Sequence, residues 1–324
     1  MALSYSEQQI GLFNYYDKGG ARQRPAWLIL WRADMTASER PRTLQTAKGP
    51  DFLVIGAQRA GTTWLHRVLR QHPSLWLPPV KELHYFDRLE TKRTILDPKE
   101  RRRVGLKRLL SLDPWLIAYW LRARSDEWYA RLFRDAQGRG LIAGEITPAY
   151  AILDERVLRR VQRMNDKIKL IFVMRDPVER AWSAVNNAAK KGAADASTVE
   201  GSVKRARESG AVARSAYADT IRRLEAVFPA SQIHYCFFDD LRDKPEALTS
   251  DLLSFLGVES VPAAPVRLPQ AVNVAAGSKP IPIEFSREMA GDYLPMVRDL
   301  CLRFDGPPQR WRARYEKLLN GSAG

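Results

Sequence analysis

The sequence has few cysteines, few histidines and no cluster of metal ligands. Only two cysteines and four histidines occur among the 324 residues, so neither a disulfide framework nor a metal site is expected. Cys236 and Cys301 both lie in apolar surroundings, which favours buried thiols in a reducing compartment. We therefore predict a protein without disulfide bonds and without a bound metal.

Signals for export or membrane insertion are also missing. The longest aromatic and apolar stretch, residues 115–121, is much shorter than the roughly 20 residues that span a bilayer. Residues 1–16 have no basic region leading into an apolar run, so a signal peptide is not expected. These features predict a cytoplasmic protein, either soluble or bound peripherally at a membrane.

Positive charge is in excess. The formal net charge is +15 at pH 7, which indicates an anionic partner such as a nucleotide, an acidic glycan, nucleic acid or an anionic membrane surface. Charge alone does not choose among these. Because 45% of the residues are hydrophobic, the chain can also bury a large core.

Apolar runs alternate with helical patterns after residue 50. Residues 1–50 are predicted to be a lead-in with little regular structure, and residues 51–324 a single α/β domain. Alternating strands and helices favour a P-loop-like parallel sheet flanked by helices. The predicted strands are 51–55, 141–143, 168–174 and 233–238. The predicted helices are 62–71, 154–164, 179–190, 214–228, 245–256 and two more at the C-terminus.

A glycine loop follows the first predicted strand. Residues 56–63, with the sequence GAQRAGTT, precede a helix N-terminus, where backbone amides and the helix dipole favour an anion. A kinase loop would need Lys where Thr62 stands; here the cation is Arg59, inside the loop. The strand 170–174 ends in Arg175, where an NTPase would place a magnesium-binding Asp. The pattern predicts a polyanion held without magnesium.

These residues carry a family resemblance. The loop 56–63 and the segment Arg175-Asp-Pro-x-x-Arg180-Ala-x-Ser183 closely resemble the two donor-binding motifs of sulfotransferases that use 3′-phosphoadenosine 5′-phosphosulfate (PAPS). The resemblance implies the sulfotransferase fold, PAPS as donor, and adenosine 3′,5′-bisphosphate as product. It implies that the loop holds the 5′-phosphosulfate, while Arg175 and Ser183 hold the 3′-phosphate. The predicted donor-binding residues are Arg59, Ala60, Gly61, Thr62, Thr63, Trp64, Arg175, Ser183 and Lys279.

Two simpler interpretations apply to the cations and carboxylates of this region. Arg175 could form only an ion pair with Asp176 or Glu179, although a position at the end of a core strand favours a ligand. Asp176 is expected to cap the helix that begins near Val178.

The resemblance extends over residues 51–312. Lys81-Glu-Leu-His-Tyr-Phe-Asp87 resembles a segment of the glycan sulfotransferases. Later blocks of the family are resembled by residues 128–133 and 144–150, and its C-terminal signature by residues 235–245 followed by 255–257. Ile146 departs from the heparan-type enzymes, which carry Lys at this place.

The same resemblance assigns catalytic roles. It implies that Glu82 takes the acceptor proton, with His84 orienting the base or the acceptor and Arg59 stabilising the leaving oxygen. Lys81 and Asp87 are predicted acceptor contacts. The segment after Pro79 is predicted to be extended, which would place Glu82 and His84 on one face. His84 is the alternative base, as in small-molecule sulfotransferases. The structural alternatives are a simple ion pair of Glu82 with Lys81 and a His84 that is only a satisfied core histidine.

Residues 92–124 are predicted to form a helical, basic, Trp-rich insertion. It either packs on a helical lobe or forms an acceptor lid or a membrane-surface contact.

The predicted activity is sulfuryl transfer from PAPS to a hydroxyl on a glycan, a glycolipid or another natural product, including anionic or lipid-linked acceptors. The alternatives are a P-loop-like nucleotide kinase and a basic nucleic-acid-binding protein, although no nucleic-acid-binding motif is found.

Overall fold

The computed structural model describes residues 48–89, 113–121, 125–258 and 280–321. The strands are β1 Phe52–Gly56, β2 Leu75–Trp76, β3 Ile142–Ile146, β4 Lys169–Met174 and β5 Ile233–Phe237. The helices are α1 Thr62–Leu69, α2 Pro114–Leu121, α3 Asp126–Gly138, α4 Glu155–Met164, α5 Pro177–Ala189, α6 Val199–Ala206, α7 Ser209–Ala213, α8 Tyr217–Glu225, α9 Phe238–Asp243, α10 Pro245–Leu256, α11 Ile283–Cys301 and α12 Pro307–Asn320. Short 3₁₀ turns lie at Phe86–Arg88, Pro148–Ile152, Ala194–Ser197 and Ala230–Gln232.

The strands form one parallel sheet in the order β2-β3-β1-β4-β5. After β1 the chain moves to one side of the sheet, and after β3 it crosses to the other side. The order therefore reverses between β1 and β4. In open α/β sheets a crevice forms at the carboxyl ends of the strands at this point, and ligands bind there.

The predicted fold class is confirmed. The four predicted strands and the helices at 62–71, 154–164, 179–190, 214–228 and 245–256 all occur, with shifted ends, and two helices close the chain. Strand β2 was not predicted, because two residues carry no detectable periodicity. It forms because Ile142 of β3 donates its amide to Ser74 O at 2.9 Å and fixes the edge pairing.

The centre of the sheet is dry and tightly packed. Every residue of β1 is buried, and β4 is buried after its first residue. Gly144 of β3 lies against the ring of Phe52, so close that a Cβ there would meet ring carbons at 2.4 Å. Glycine at this position lets the central strand carry a phenylalanine on that face.

An aromatic cluster joins α2 to α3. The Trp115 indole donates to Leu132 O at 2.8 Å, and the Trp128 indole donates to Ala118 O at 2.9 Å. Trp115 stacks on Tyr119 with ring centroids 5.3 Å apart. The described part of the basic insertion, residues 113–121, thus packs on a helix of the domain as scaffold.

Several predicted features lie outside the described residues. They are the lead-in up to residue 47, the basic stretch 92–112, residues 122–124 and Lys279, so their predictions, including the boundary at residue 50, stay predictions. Among the helices that the structure describes, none is long and apolar enough to cross a membrane.

Gly144→Ala tests the close packing at the sheet centre. The added methyl group would overlap the Phe52 ring, and overpacking of this kind typically costs about 1–3 kcal/mol. We expect urea denaturation to show a loss of that size. The matched control is Gly138→Ala at the end of α3, where an added Cβ meets nothing within 4 Å. Equal stability of the two variants would contradict the packing argument.

Candidate functional site

A cleft of about 360 Å³ opens at the carboxyl ends of β1 and β4. Its walls come from the glycine loop, from the start of α1, from the segment after Pro79 and from α5. Among the described residues that line it, four are cations and one is a carboxylate. They are Arg59, Lys81, Arg175, Lys191 and Glu82. The cleft is therefore suited to an anion.

The glycine loop turns sharply into α1. Gly61 has a φ of 83°, which glycine adopts without a steric penalty. Its carbonyl accepts from the amides of Trp64 and Leu65 at 2.8 and 3.1 Å, so the helix begins at once. Amides at such a helix start have no intrahelical acceptor and attract anions.

Arg59 lies in the loop with a φ of 71°, a conformation that costs non-glycine residues free energy and is concentrated at functional sites. Its Nε donates to Ser183 Oγ of α5 at 3.0 Å. Arg175 donates from one Nη to the Arg59 carbonyl, also at 3.0 Å. These contacts bring together the loop cation and the cation that ends β4.

The two guanidinium groups repel each other. Burial, and then the charge of Arg175, lower the pKa of Arg59. Arg59 remains cationic at neutral pH, because an arginine pKa starts far above 7. An anion placed between them would relieve the repulsion.

Arg175 is held on two further sides. Its Nε and one Nη lie 3.3 and 3.1 Å from Glu179 Oε2, and its guanidinium lies 4.3 Å from the centre of the Phe238 ring. The ion pair with Glu179, which the strand-end argument had disfavoured, therefore exists. Arg175 still lines the cleft, because Glu179, four residues later in α5, orients its guanidinium group without removing it from there.

The C-terminal helix supports this arrangement. Asp176 is buried, accepts from the Glu179 amide at 2.9 Å as the predicted cap of α5, and accepts from Tyr315 Oη at 2.9 Å. Arg314 of α12 forms an ion pair with Asp176 and lies 3.4 Å from Glu179 Oε1. Helix α12 thus neutralises the acidic groups that hold Arg175.

Glu82 and His84 meet in the segment after Pro79, but not for the predicted reason. Their φ angles are 61° and 51°, so the segment is tightly turned and not extended. His84 Nε2 lies 3.4 Å from Glu82 Oε2, and Nδ1 lies 2.7 Å from Asp87 Oδ2. The histidine is placed between two carboxylates.

The charges of this group reinforce one another. Burial would raise the pKa of Glu82, but the hydrogen bond from His84 and the charge of Lys81 outweigh it and lower the pKa to about 2. Burial opposes the charge on His84, but the hydrogen bonds with Asp87 and Glu82 raise its pKa. Glu82 is therefore an ionised acceptor at neutral pH, and His84 favours the protonated form.

Lys81 connects this group to the glycine loop. Its Nζ donates to Glu82 Oε1 at 2.9 Å and to Thr63 Oγ1 at 3.2 Å. The ion pair foreseen as a structural alternative for Glu82 is present. It also places the lysine charge at the start of α1, beside the cleft.

A buried carboxylate holds the turned segment in place. Glu145 of β3 is 1% exposed, and its Oε1 accepts from Tyr129 Oη at 2.5 Å and from Tyr150 Oη at 2.8 Å. Its Oε2 accepts from Thr147 Oγ1 at 2.8 Å and from the Leu83 amide at 3.1 Å. Because Leu83 lies between Glu82 and His84, this bond fixes the backbone that carries both.

Tyr150 extends the hydrogen bonds of Glu145 to the backbone of Tyr85. Its Oη donates to Glu145 and accepts from the Tyr85 amide at 3.0 Å. Burial raises the pKa of Glu145 although four hydrogen bonds act against it. The block at residues 144–150 is therefore the support of the turned segment.

Comparison with known proteins identifies the family of the chain. The family model described as "Sulfotransferase family" matches residues 50–262. The chain belongs to the sulfotransferase family. Among curated relatives, it is 29% identical over 160 residues to the membrane-associated sulfotransferase kil1 of Dictyostelium discoideum, covering 47% of this chain and 27% of that protein.

Other relatives of this sulfotransferase agree. It is 26% identical over 209 residues to heparan sulfate glucosamine 3-O-sulfotransferase 5 of Mus musculus, covering 60% of this chain and 50% of that protein. The chain thus spans half or less of the length of these two relatives. A crystal structure of a sulfotransferase from Alicyclobacillus acidocaldarius has the same fold, with a TM-score of 0.57 at 23% identity, covering 81% of this chain and 98% of that one.

The structure places most predicted site residues of the sulfotransferase around one cleft. Those that line it are Arg59, Gly61, Thr62, Thr63, Trp64, Lys81, Glu82, Arg175 and Ser183. Ala60 is fully buried behind the loop, and His84 and Asp87 lie behind Glu82. Asp87 holds His84, so its role as an acceptor contact remains a prediction.

Sequence reasoning missed five lining residues, Gln58, Pro148, Phe238, Asn187 and Lys191. Phe238 directly follows β5, and the strand-end rule that selected Arg175 could have selected it too. Asn187 and Lys191 follow Ser183 at intervals of four residues, the spacing of one helix face. Both signals were present in the sequence.

Glu145→Gln tests the buried support. The amide group replaces one acceptor oxygen of Glu145 with a donor. The buried hydroxyl or backbone amide groups that donated to that oxygen then have no acceptor, which destabilises the folded protein by about 1–3 kcal/mol for each group. We expect the free energy of unfolding to fall by about 2–4 kcal/mol in urea denaturation. The control is Glu127→Gln on α3, where the carboxylate is 58% exposed. A loss no larger than that of the control would contradict the role of Glu145.

Proposed function

We propose that the protein transfers a sulfuryl group from PAPS to an acceptor hydroxyl. The observation that carries the proposal is the pairing of Arg59 and Arg175 in one cleft, at the carboxyl ends of adjacent strands. The donor has phosphate groups on both sides of its ribose, and it therefore needs two cation sites. Membership in the sulfotransferase family supports the same reaction.

The residues present fit this donor. When bound, PAPS supplies an activated sulfuryl group whose leaving group is adenosine 3′,5′-bisphosphate. The amides of the glycine loop, Thr62 and Thr63 would hold the 5′ end, and Arg175 with Ser183 the 3′-phosphate. Trp64 and Phe238 supply aromatic faces in the same cleft, and such faces stack on planar bases. Ala60 supports the loop, and Lys279 stays a proposed further phosphate contact.

Glu82 is the proposed general base. It is ionised at neutral pH, and it lines the cleft beside Lys81. His84 lies between Glu82 and Asp87, whose hydrogen bonds favour its protonated form. A protonated histidine cannot accept the acceptor proton, so His84 is better suited to orienting Glu82. Arg59 and Lys81 can stabilise negative charge that develops on the leaving group.

The kinase and nucleic-acid alternatives have less support. Thr62 occupies the place of the kinase lysine, and Arg175 that of the magnesium-binding carboxylate. We retain neither alternative.

The acceptor is proposed to be a hydroxyl on a glycan, a glycolipid or another natural product. The mouse relative's name specifies heparan sulfate glucosamine, but in this chain Ile146 is buried and apolar where heparan-type enzymes carry Lys. We propose a cytoplasmic protein with an optional peripheral membrane contact, and the name of the Dictyostelium relative is compatible with that contact.

Arg175→Ala tests the donor site. Hydrogen bonds to charged groups contribute about 1.5–3 kcal/mol, so binding of adenosine 3′,5′-bisphosphate should weaken roughly 10- to 100-fold in calorimetry. Binding of adenosine 5′-monophosphate should change little, because it lacks the 3′-phosphate. Arg159→Ala on the exposed face of α4 is the charge-matched control. Equal losses for both nucleotides would refute the assignment of Arg175 to the 3′-phosphate.

Glu82→Gln tests the base. The amide keeps the size of the side chain but cannot take up a proton, and a positioned base typically contributes about 100- to 10,000-fold in rate. We expect kcat to fall by about that factor while bisphosphate affinity persists. His84→Ala should cost less. If Glu82→Gln keeps most of its activity and His84→Ala abolishes it, the base is His84.

The pH profile of the unmodified protein provides an independent check on the base. With the pKa of Glu82 near 2, the base stays ionised from about pH 7.5 to about pH 5.5, and kcat should hold over that range. The pKa of His84 is raised. His84 is therefore fully protonated at pH values below the usual histidine pKa, and it loses its proton only as the pH rises through the raised pKa. A tenfold fall in kcat per unit of decreasing pH in this range would indicate a histidine base.

A further inference from the structure

A second recess, of about 210 Å³, lies between α5 and the α6–α7 segment. It shares Gln58 of the glycine loop with the donor cleft. Small apolar side chains from α5, α6 and α7 line much of it. Three guanidinium groups and one carboxylate also line it, those of Arg180, Arg205, Arg214 and Glu208.

Arg180 is a cation inside the protein. It is 1% exposed, its Nε donates to Ser215 Oγ at 2.6 Å, and one Nη donates to Ala211 O at 3.2 Å. Neutral oxygens satisfy these donors without balancing the charge. Within the described part of the chain, Arg180 forms no ion pair with a carboxylate, although buried charges are normally paired.

Arg214 brings a second cation to the same recess. One Nη donates to Gly210 O, while its buried Nε has no hydrogen-bond partner. Burial, and then the charge of Arg180, lower the pKa of Arg214, and Asp87 acts in the opposite direction. The recess thus combines an unused buried donor with an excess of positive charge.

The recess adjoins the proposed active site, because Gln58 lines both the recess and the donor cleft. Asp87, whose charge acts on Arg214, also holds His84 beside the proposed base Glu82. The donor phosphates are already assigned to Arg59 and Arg175 in the neighbouring cleft. An anion in the recess would therefore belong to a molecule other than the donor.

We propose that the recess binds an oxyanion, a sulfate, phosphate or carboxylate, that the acceptor carries at a position other than the hydroxyl to be sulfated. The inference rests on the proposed function for its acceptor. Guanidinium groups bind planar and tetrahedral oxyanions through paired hydrogen bonds, and the alanines of α5 and α6 can contact the apolar atoms that bear the anion. A free inorganic anion has the same chemistry, so the experiment must separate the two sources.

The first measurement is calorimetric titration with sodium sulfate and sodium phosphate. The donor cleft is first saturated with adenosine 3′,5′-bisphosphate, and sodium chloride keeps the ionic strength constant. The unmodified protein should show saturable binding, and Arg214→Gln should weaken it roughly 10-fold or more. Arg159→Gln, which changes the same charge on the exposed face of α4, should bind as the unmodified protein does.

A second variant leaves every arginine in place. Ala188→Leu extends a side chain of α5 into the recess, so it should weaken sulfate binding while leaving affinity for the bisphosphate unchanged. Melting temperatures without ligand identify any variant that fails to fold. Equal sulfate binding by all the variants, or a response no different from that to chloride, would overturn the proposal.

The source of the anion is tested with glucose 6-phosphate, inorganic phosphate and glucose. Glucose 6-phosphate, a hydroxylated ring that carries an anion, should bind more tightly than inorganic phosphate and lose affinity in Arg214→Gln, whereas glucose should not bind. If only inorganic phosphate binds, the recess takes a free ion and the assignment to the acceptor is wrong. Failure of the bisphosphate itself to bind would instead refute the proposed function, and anion titration of the nucleotide-free protein would still test the recess.

Discussion

The turned segment that carries Glu82 and His84 depends on the buried carboxylate of Glu145. Two tyrosine hydroxyls, one threonine hydroxyl and the Leu83 amide converge on it. Because those donors come from α3, from the turn after β3 and from the segment after Pro79, one side chain ties three parts of the chain together. Glu82 and His84 can keep uncommon left-handed backbone conformations only if their surroundings enforce them. The bonds from Leu83 to Glu145 and from Tyr85 to Tyr150 provide that enforcement.

A second constraint is electrostatic. The cleft contains cations that repel one another. Carboxylates hold these cations in place, and further cations neutralise the carboxylates. Glu179 restrains Arg175, and Arg314 from the last helix balances Glu179 and Asp176. This arrangement keeps the arginine side chains in place before an anion arrives, so less side-chain entropy has to be lost on binding. In the second recess, the buried Arg180 has no ion pair with a carboxylate among the described residues, which distinguishes it from Arg175.

Most of the α/β framework was predictable, because it depends on local patterns. The buried apolar runs predict the strands β1 and β4, and the glycine loop after β1 predicts a turn into a helix. Asp176 before Pro177 predicts the cap of α5. The edge strand β2 was not predictable, since its two residues form a strand only through β3. The segment at 82–84 was predicted to be extended, yet it is turned, because the donors that hold it are distant in sequence and converge on Glu145.

The sequence by itself determined the order of the predicted strands and helices, the excess of positive charge, and the two motifs that carry Arg59, Arg175 and Ser183. These properties follow from periodicity and residue type, which act over short stretches of chain. Only the tertiary structure decided that Arg175 pairs with Glu179 while lining the cleft, that His84 lies between two carboxylates, and that Arg180 and Arg214 share a recess. The turn that places His84 between its carboxylates is held by Glu145 of β3, Arg175 lines the cleft beside the loop residue Arg59, and Arg180 and Arg214 lie on different elements. Such arrangements arise only when the sheet and its helices pack together.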